Sequence, residues 1–276
     1  MRSHRDYLLE NDVAVGFSLD GPPEVQDLNR PVSDGRPSFS RVMEAIVDYR
    51  KHSGSVPSIR ATYCRDQPRS IVQVIDFFLS QGLNRIAIKA AGGTGSCSFS
   101  THQDFDLLLE HDRAAVRKFL EDNNNQVYYE YVKVCDPVKA LYRRAKIVRP
   151  CGGGIGLLTT TPNGEFFCCH RLAGNPVARI GDIESGISEE VRMRFLENSV
   201  LNREKCTGCW ARFLCGGSAS CMYQSAITTG DLFSHSESAC YYIKKYWELV
   251  IWLYSELPDE DKRRLGENRV RRVEII

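Results

Sequence analysis

No stretch of this 276-residue chain approaches the roughly 20 consecutive apolar residues that a membrane-crossing helix needs. The opening MRSHRDYLLEND has no apolar core of the kind a secretory signal carries, so neither a bilayer nor export is suggested, and a cytoplasmic setting is expected. Charge of one sign is also lacking. The formal net charge is +1 and no basic run exceeds a few residues, which argues against nucleic acid as the main partner. Cysteine is scarce in the first half, where only Cys64, Cys97 and Cys135 precede residue 150, and these are read as small buried thiols. The glycine-rich loop GGTGS at 92–96 lacks the lysine of a phosphate-binding loop and the spacing of a dinucleotide fingerprint.

The remaining eight cysteines crowd into the second half: Cys151, Cys168, Cys169, Cys206, Cys209, Cys215, Cys221 and Cys240. An odd total of eleven in a chain without a secretory signal favours metal ligation over a disulfide framework. The densest run is CTGCWARFLCGGSASC, from Cys206 to Cys221, with spacing C-x2-C-x5-C-x5-C. C-x2-C lets two sulfurs reach one centre from a tight turn, and Gly208, Gly216 and Gly217 let backbone amides approach the thiolates and offset their charge. Cysteine-only ligation is compatible with structural zinc or with iron-sulfur clusters.

The first half alternates strand and helix. Apolar or alternating runs predict strands at 13–18, 58–63 and 85–90. Apolar stripes at helical spacing predict helices beginning after Ser38 and Ser70 and over 104–121, with Gly82 closing the second. Three successive βα units imply parallel strands, as in part of an α/β barrel or an open sheet. Past residue 150, alternation around Pro162, Asn163 and Gly164 predicts a hairpin flanked by cysteines. A helix near 188–197 and an amphipathic helix after Cys240 follow, and the last residues read as a solvated tail.

The series Cys151, x12, Gly164, x4, Cys169, a gap, Cys206-x2-Cys209-x5-Cys215-x5-Cys221, a gap, and Cys240 resembles the seven-cysteine pattern of the SPASM domain. That domain is the C-terminal extension of radical S-adenosylmethionine (AdoMet) enzymes that modify peptides and proteins, including anaerobic sulfatase-maturating enzymes and maturases of ribosomal peptides. The family spaces the last two cysteines of the central run by x3, where this chain has x5. The run FSLDGPPEVQDLNRP is similar to the family's fourth barrel strand and the loop after it, with Gln26 where His is common, and ARIGDI at 178–183 looks like the family's link beyond the hairpin. The resemblance implies an α/β fold: the C-terminal half of a partial (β/α)6 TIM-like barrel over 1–135 (βα units 4–6), a SPASM auxiliary-cluster domain over 136–257, and a tail over 258–276.

By the same resemblance, Ser18, Asp20 and Arg30 are candidate AdoMet contacts, although Ser18 and Asp20 could equally just end a strand and begin a turn. Two auxiliary [4Fe-4S] clusters are implied. Cys151, Cys169 and Cys221, with Cys168 as a candidate fourth ligand, would hold the nearer; Cys206, Cys209, Cys215 and Cys240 would hold the farther. His170 stands where the sulfatase-maturating branch has an Asp base; it is read either as a hydrogen-bond donor to sulfur or as a catalytic base, and the difference counts against sulfatase maturation as the specific activity. The family's C-x3-C-x2-C motif, which holds the AdoMet-cleaving cluster, is absent from these residues. The resemblance therefore implies an N-terminally truncated relative that uses AdoMet only with a separate N-terminal half. Its expected partners are that half, a peptide or protein substrate and an electron donor. A non-catalytic zinc or iron-sulfur binding module is the alternative.

Overall fold

Alternation along two strands decides the first sheet. In the computed structural model, which describes residues 2–11 and 13–267, Ile59, Ala61 and Tyr63 are buried along one strand, and Ile86 and Ile88 along its neighbour. The residues between them, including Arg60, Thr62 and Lys89, project from the opposite face. The four strands β1 (Gly16–Ser18), β2 (Ser58–Tyr63), β3 (Arg85–Ala90) and β4 (Glu130–Tyr131) lie in that order, all parallel.

Parallel neighbours require crossovers, and helices supply them. Helix α1 (Arg2–Glu10) precedes β1; α2 (Pro23–Asn29) and α3 (Phe39–Ser53) lead to β2, α4 (Ile71–Ser80) to β3, and α5 (His102–Asn124) to β4. Their apolar stripes, among them Ile46, Val74, Phe78, Leu108 and Phe119, cover the buried face of the sheet. Ser70 and Gln73 form a reciprocal capping box on α4, and Thr101 and Asp104 form another on α5, so that α5 starts earlier than its apolar pattern alone suggests. Ser38 does not cap α3 with its hydroxyl, which accepts a hydrogen bond from Gln26 Nε2 instead (2.9 Å).

Two strands differ from expectation. The first is shorter, because only Gly16–Ser18 pair with β2 while Val13 is exposed, and β1 forms one edge of the sheet among the described strands. The fourth, Glu130–Tyr131, adds to the three read from sequence; buried Tyr129 and Tyr131 anchor it.

Helix α6 (Val132–Tyr142) runs across the domain boundary expected at 135. A second, antiparallel sheet follows, in which β5 (Thr159–Thr160), β6 (Glu165–Phe167) and β7 (Arg179–Asp182) lie in sequence order. The hairpin turns at Pro162, Asn163 and Gly164 as predicted, and ARIGDI supplies the third strand. Helix α7 (Glu189–Glu197) is capped by the Ser188 hydroxyl, which accepts from the Val191 amide (3.2 Å). Short helices α8 (Glu204–Thr207), α9 (Arg212–Cys215) and α10 (Met222–Thr229) come next, then α11 (Glu237–Glu256). This region has its own apolar cluster, including Phe167, Leu172, Ile180, Phe195 and Met222. Helix α11 returns to α5 and α6, and its Leu253 joins the first core.

One ionic contact fastens that return. Asp112 on α5, 1% exposed, pairs with Lys133 on α6 and accepts a hydrogen bond from the Tyr242 hydroxyl of α11 (2.6 Å). The expected tail also needs correcting. Its first part is α12 (Asp259–Glu267), packed on α6 with Leu265 buried and with Asp261 accepting from Asn123 Nδ2 (2.9 Å). The remainder of that expectation, 268–276, lies outside the described residues. Among the described residues no helix is long and apolar enough to cross a membrane.

Candidate functional site

Cys206 ends its approach on α8, Cys209 follows one turn later, Cys215 closes α9, and Cys240 sits in the first turn of α11. All four line one small cavity of about 20 Å³. The Cys240 thiol is pushed up by burial, drawn back by Lys244, and raised again by Cys215, Cys209 and Cys206, so the far cysteine has joined the other three. The surroundings suit negative charge. The Ser218 amide donates to Cys215 Sγ (3.3 Å), and the Arg203 guanidinium faces Cys206 and Cys215. Arg203 Nη2 is buried without a hydrogen-bond partner, an open donor on a guanidinium that faces Cys206 and Cys215.

Gly216 makes this loop possible. Its φ is +62°, and a Cβ there would stand 2.4 Å from Ile147 Cγ2 and 3.1 Å from the Arg149 carbonyl oxygen. Gly216→Ala is expected to lower stability by about 1–3 kcal/mol, read as a reduced urea midpoint. Gly208→Ala, with nothing within 4 Å of its Cβ, is the matched control and should leave the midpoint nearly unchanged.

The other thiols form a second group. Burial raises Cys151, and Cys221 and Cys169 raise it further. Cys168 belongs nearby but faces inward: it is fully buried within the second apolar cluster, and burial pushes its thiol up to about 12. Cys151 and Cys221 are exposed, and Cys169 is half-buried.

A cavity of about 830 Å³ opens between the unburied face of the first sheet and the cysteine-rich region. Its wall is mostly apolar, with Phe99, Leu108, Tyr242, Tyr246 and Trp247, and it reaches Cys221 and Cys215. Lys89 enters it from β3. Surrounding protein depresses the Lys89 pKa, and Arg60 and Arg171 depress it further while Cys221 opposes them. The His170 pKa is likewise lowered, by desolvation and by Arg60, Arg171 and Lys89. Arg171 is fixed by stacking on Tyr223 (3.5 Å to the ring centroid) and by donating to the Gly92 carbonyl (3.1 Å). Sequence reasoning missed Arg60, Lys89, Arg171 and Arg203. The only signal for the first two was a charged residue on each of two otherwise alternating strands.

At the C-terminal end of β1, Asp20 is 2% exposed and saturated by protein donors. It accepts from the Thr62 amide (2.8 Å) and from Arg30 Nε (2.9 Å), and Arg30 also donates to the Thr62 hydroxyl (3.1 Å). The structure therefore brings Asp20 and Arg30 together. Ser18 is exposed on the same strand, and no hydrogen bond joins its side chain to them. The buried Nδ2 of neighbouring Asn29 has no partner, an open donor next to Arg30.

This α/β fold with a parallel sheet is shared with solved structures of a radical AdoMet enzyme. The solved structures that carry it include those of anSMEcpe, an anaerobic sulfatase-maturating enzyme. Histidine-tagged anSMEcpe with bound AdoMet matches with a TM-score of 0.72 and 18% identity, over 97% of this chain and 72% of that one. Native anSMEcpe with AdoMet and the Kp18Cys peptide matches with a TM-score of 0.70 and 18% identity, over 93% and 73%. The complex with AdoMet and the Cp18Cys peptide gives 0.70 and 18%, over 94% and 74%. At this identity the likeness is one of fold. No family model matches the chain.

Proposed function

We propose that this chain takes part in radical AdoMet-dependent modification of a peptide or protein, as a maturase of the SPASM type whose second half holds two [4Fe-4S] clusters. The observation that carries the reading is the separation of the thiols into two groups, at opposite ends of Cys206-to-Cys221 and in the order of the family pattern, within a fold shared with an AdoMet- and peptide-bound enzyme. The donor chemistry fits. Each group is thiol-only, and the farther one has an unpartnered guanidinium nitrogen nearby, Arg203 Nη2, and a backbone amide donating to sulfur.

Bound there, the clusters supply one-electron transfer, and AdoMet supplies the hydrogen-abstracting chemistry of the class. The protein's own residues prepare the site. Arg203, Lys244 and the Ser218 amide offset thiolate charge at the farther group; Lys89 does so on the side of Cys151 and Cys221. The apolar cavity wall excludes water and offers a peptide a surface to lie on. Asp20 acts as a positioning residue that holds Arg30, and Arg30 with Ser18 presents free donors to AdoMet. The burial of Cys168 supports a core role for it, with Cys151, Cys169 and Cys221 as the accessible ligands.

With no C-x3-C-x2-C among these residues, the reconstituted and reduced chain alone is expected to release no 5′-deoxyadenosine from AdoMet. Release by the chain alone, measured chromatographically, would sink this division of labour. When a polypeptide carrying C-x3-C-x2-C is supplied in trans, cleavage should appear, and Arg30→Ala should raise the KM for AdoMet about tenfold, the loss of roughly 1.4 kcal/mol.

A further inference from the structure

Cys64 and Cys97 stand outside both thiol groups. Cys64 is the first residue after β2, and Cys97 lies in the loop that follows β3. Thirty-three positions apart in sequence, their sulfurs are 2.9 Å apart. A backbone hydrogen bond from the Arg65 amide to the Cys97 carbonyl (3.0 Å) ties the same two segments together. A disulfide has its sulfurs about 2.05 Å apart, so closure asks for less than about 1 Å of movement. A pair of thiols gains little from such proximity as a hydrogen bond, since S–H is a weak donor and sulfur a weak acceptor. Cys64 is buried while Cys97 is partly accessible, so a small molecule can reach one sulfur of the pair from solvent.

We infer that Cys64 and Cys97 form a reversible disulfide, a thiol–disulfide exchange site for low-molecular-weight disulfides that is separate from the metal-ligating cysteines. The Cys97 thiolate attacks one sulfur of the small disulfide, breaking its S–S bond and releasing one thiol. The Cys64 thiolate then attacks Cys97 Sγ in the mixed disulfide and releases the second thiol. The protein pair loses two electrons, the small disulfide gains them, and its two leaving thiolates take up the two protons that the cysteines gave up.

The bond acts on a loop that matters. Residues 91–98 carry the Gly92 carbonyl that accepts from Arg171 and the Gly93 amide that donates to Gln224 Oε1 (3.1 Å), so this loop joins the end of the first sheet to the cysteine-rich region. Ala91 and Gly92 also line the large cavity. In the dithiol state no covalent bond ties the loop to β2; the disulfide pins it to the end of that strand. Burial, the Cys97 thiol and the Asp20 carboxylate all push the Cys64 thiol up, so the closing step should accelerate about tenfold per pH unit near neutrality, as the thiolate fraction grows.

Trypsin separates this pair from every other cysteine: Cys64 falls in ATYCR, residues 61–65, and Cys97 in the peptide 90–113. The reconstituted full chain would be treated anaerobically with oxidised glutathione, quenched with N-ethylmaleimide, digested and analysed by mass spectrometry. The expected major product is the two peptides joined, two hydrogens lighter than their sum and restored by dithiothreitol. In Cys64→Ser, Cys97 should instead retain glutathione. Recovery of both wild-type peptides singly alkylated, or of Cys97 still carrying glutathione with Cys64 alkylated, would overturn the inference. Hydrogen exchange of amides 91–98 should slow severalfold on oxidation; unchanged exchange would remove the proposed effect on the loop.

Discussion

Replacing Cys240 by alanine is expected to halve the iron that the chain holds after anaerobic reconstitution, from about eight to about four atoms, with acid-labile sulfide falling in step. The reason is topological. Cys206, Cys209 and Cys215 come from one short run, whereas Cys240 arrives from the start of α11 and closes the same cavity. Without it, three thiols remain in a loop that has lost its tie to the long helix, and the farther cluster goes. The nearer group shares no ligand with it, so Cys151, Cys169 and Cys221 should keep their iron. Cys135→Ala, at a buried thiol packed in the first core, should leave the iron content unchanged. If Cys240→Ala retained about eight irons with an unchanged electron paramagnetic resonance spectrum, Cys240 would not be a ligand of the farther cluster.

The second large effect is on stability. Asp112→Ala removes the acceptor shared by Lys133 and the Tyr242 hydroxyl, and leaves a mostly buried ammonium and a phenol without it. Breaking a buried pair from one side costs about 3 kcal/mol or more. The urea midpoint should fall accordingly. Lys245→Ala removes an ion pair with Glu248 that is well exposed on both sides and should leave the midpoint nearly unchanged. Equal midpoints for the two variants would mean that Asp112 does not fasten α11 to α5 and α6.

The parts of the fold legible in the sequence are those set by local pattern. β2 and β3 stand out because apolar residues alternate with charged and small ones over six positions, and α4 because Ser70 and Gln73 give a complete capping signal. β1 and β4 are harder, since three and two residues of pairing leave no period to count. Helix α12 reads as a tail because nearly every residue in DEDKRRLGE is charged; Asp261, Leu265 and Gly266 carry its docking, and only the surfaces of α5 and α6 reveal that.

The candidate site divides in the same way. The resemblance of the cysteine order to a family pattern implies both thiol groups, Cys240 included although it is distant in sequence. What spacing cannot convey is the cationic wall. Arg60, Lys89 and Arg171 come from β2, β3 and the turn after Cys169, and only the folded chain brings them near one another, with Lys89 and Arg171 lining one cavity. Asp20 and Arg30 were named from a resemblance, and the structure adds that Asp20 is occupied by Thr62 and Arg30. The Cys64 and Cys97 thiols, read singly as buried hydrophobes, become a pair only once β2 and β3 are laid side by side.

The central claim is that the two thiol groups hold iron-sulfur clusters. Its most direct test is anaerobic reconstitution of the wild-type chain, followed by iron, acid-labile sulfide and zinc analysis with an electron paramagnetic resonance spectrum of the reduced protein. The account predicts about eight irons and eight sulfides per chain with cubane signals. Stoichiometric zinc without acid-labile sulfide would contradict it.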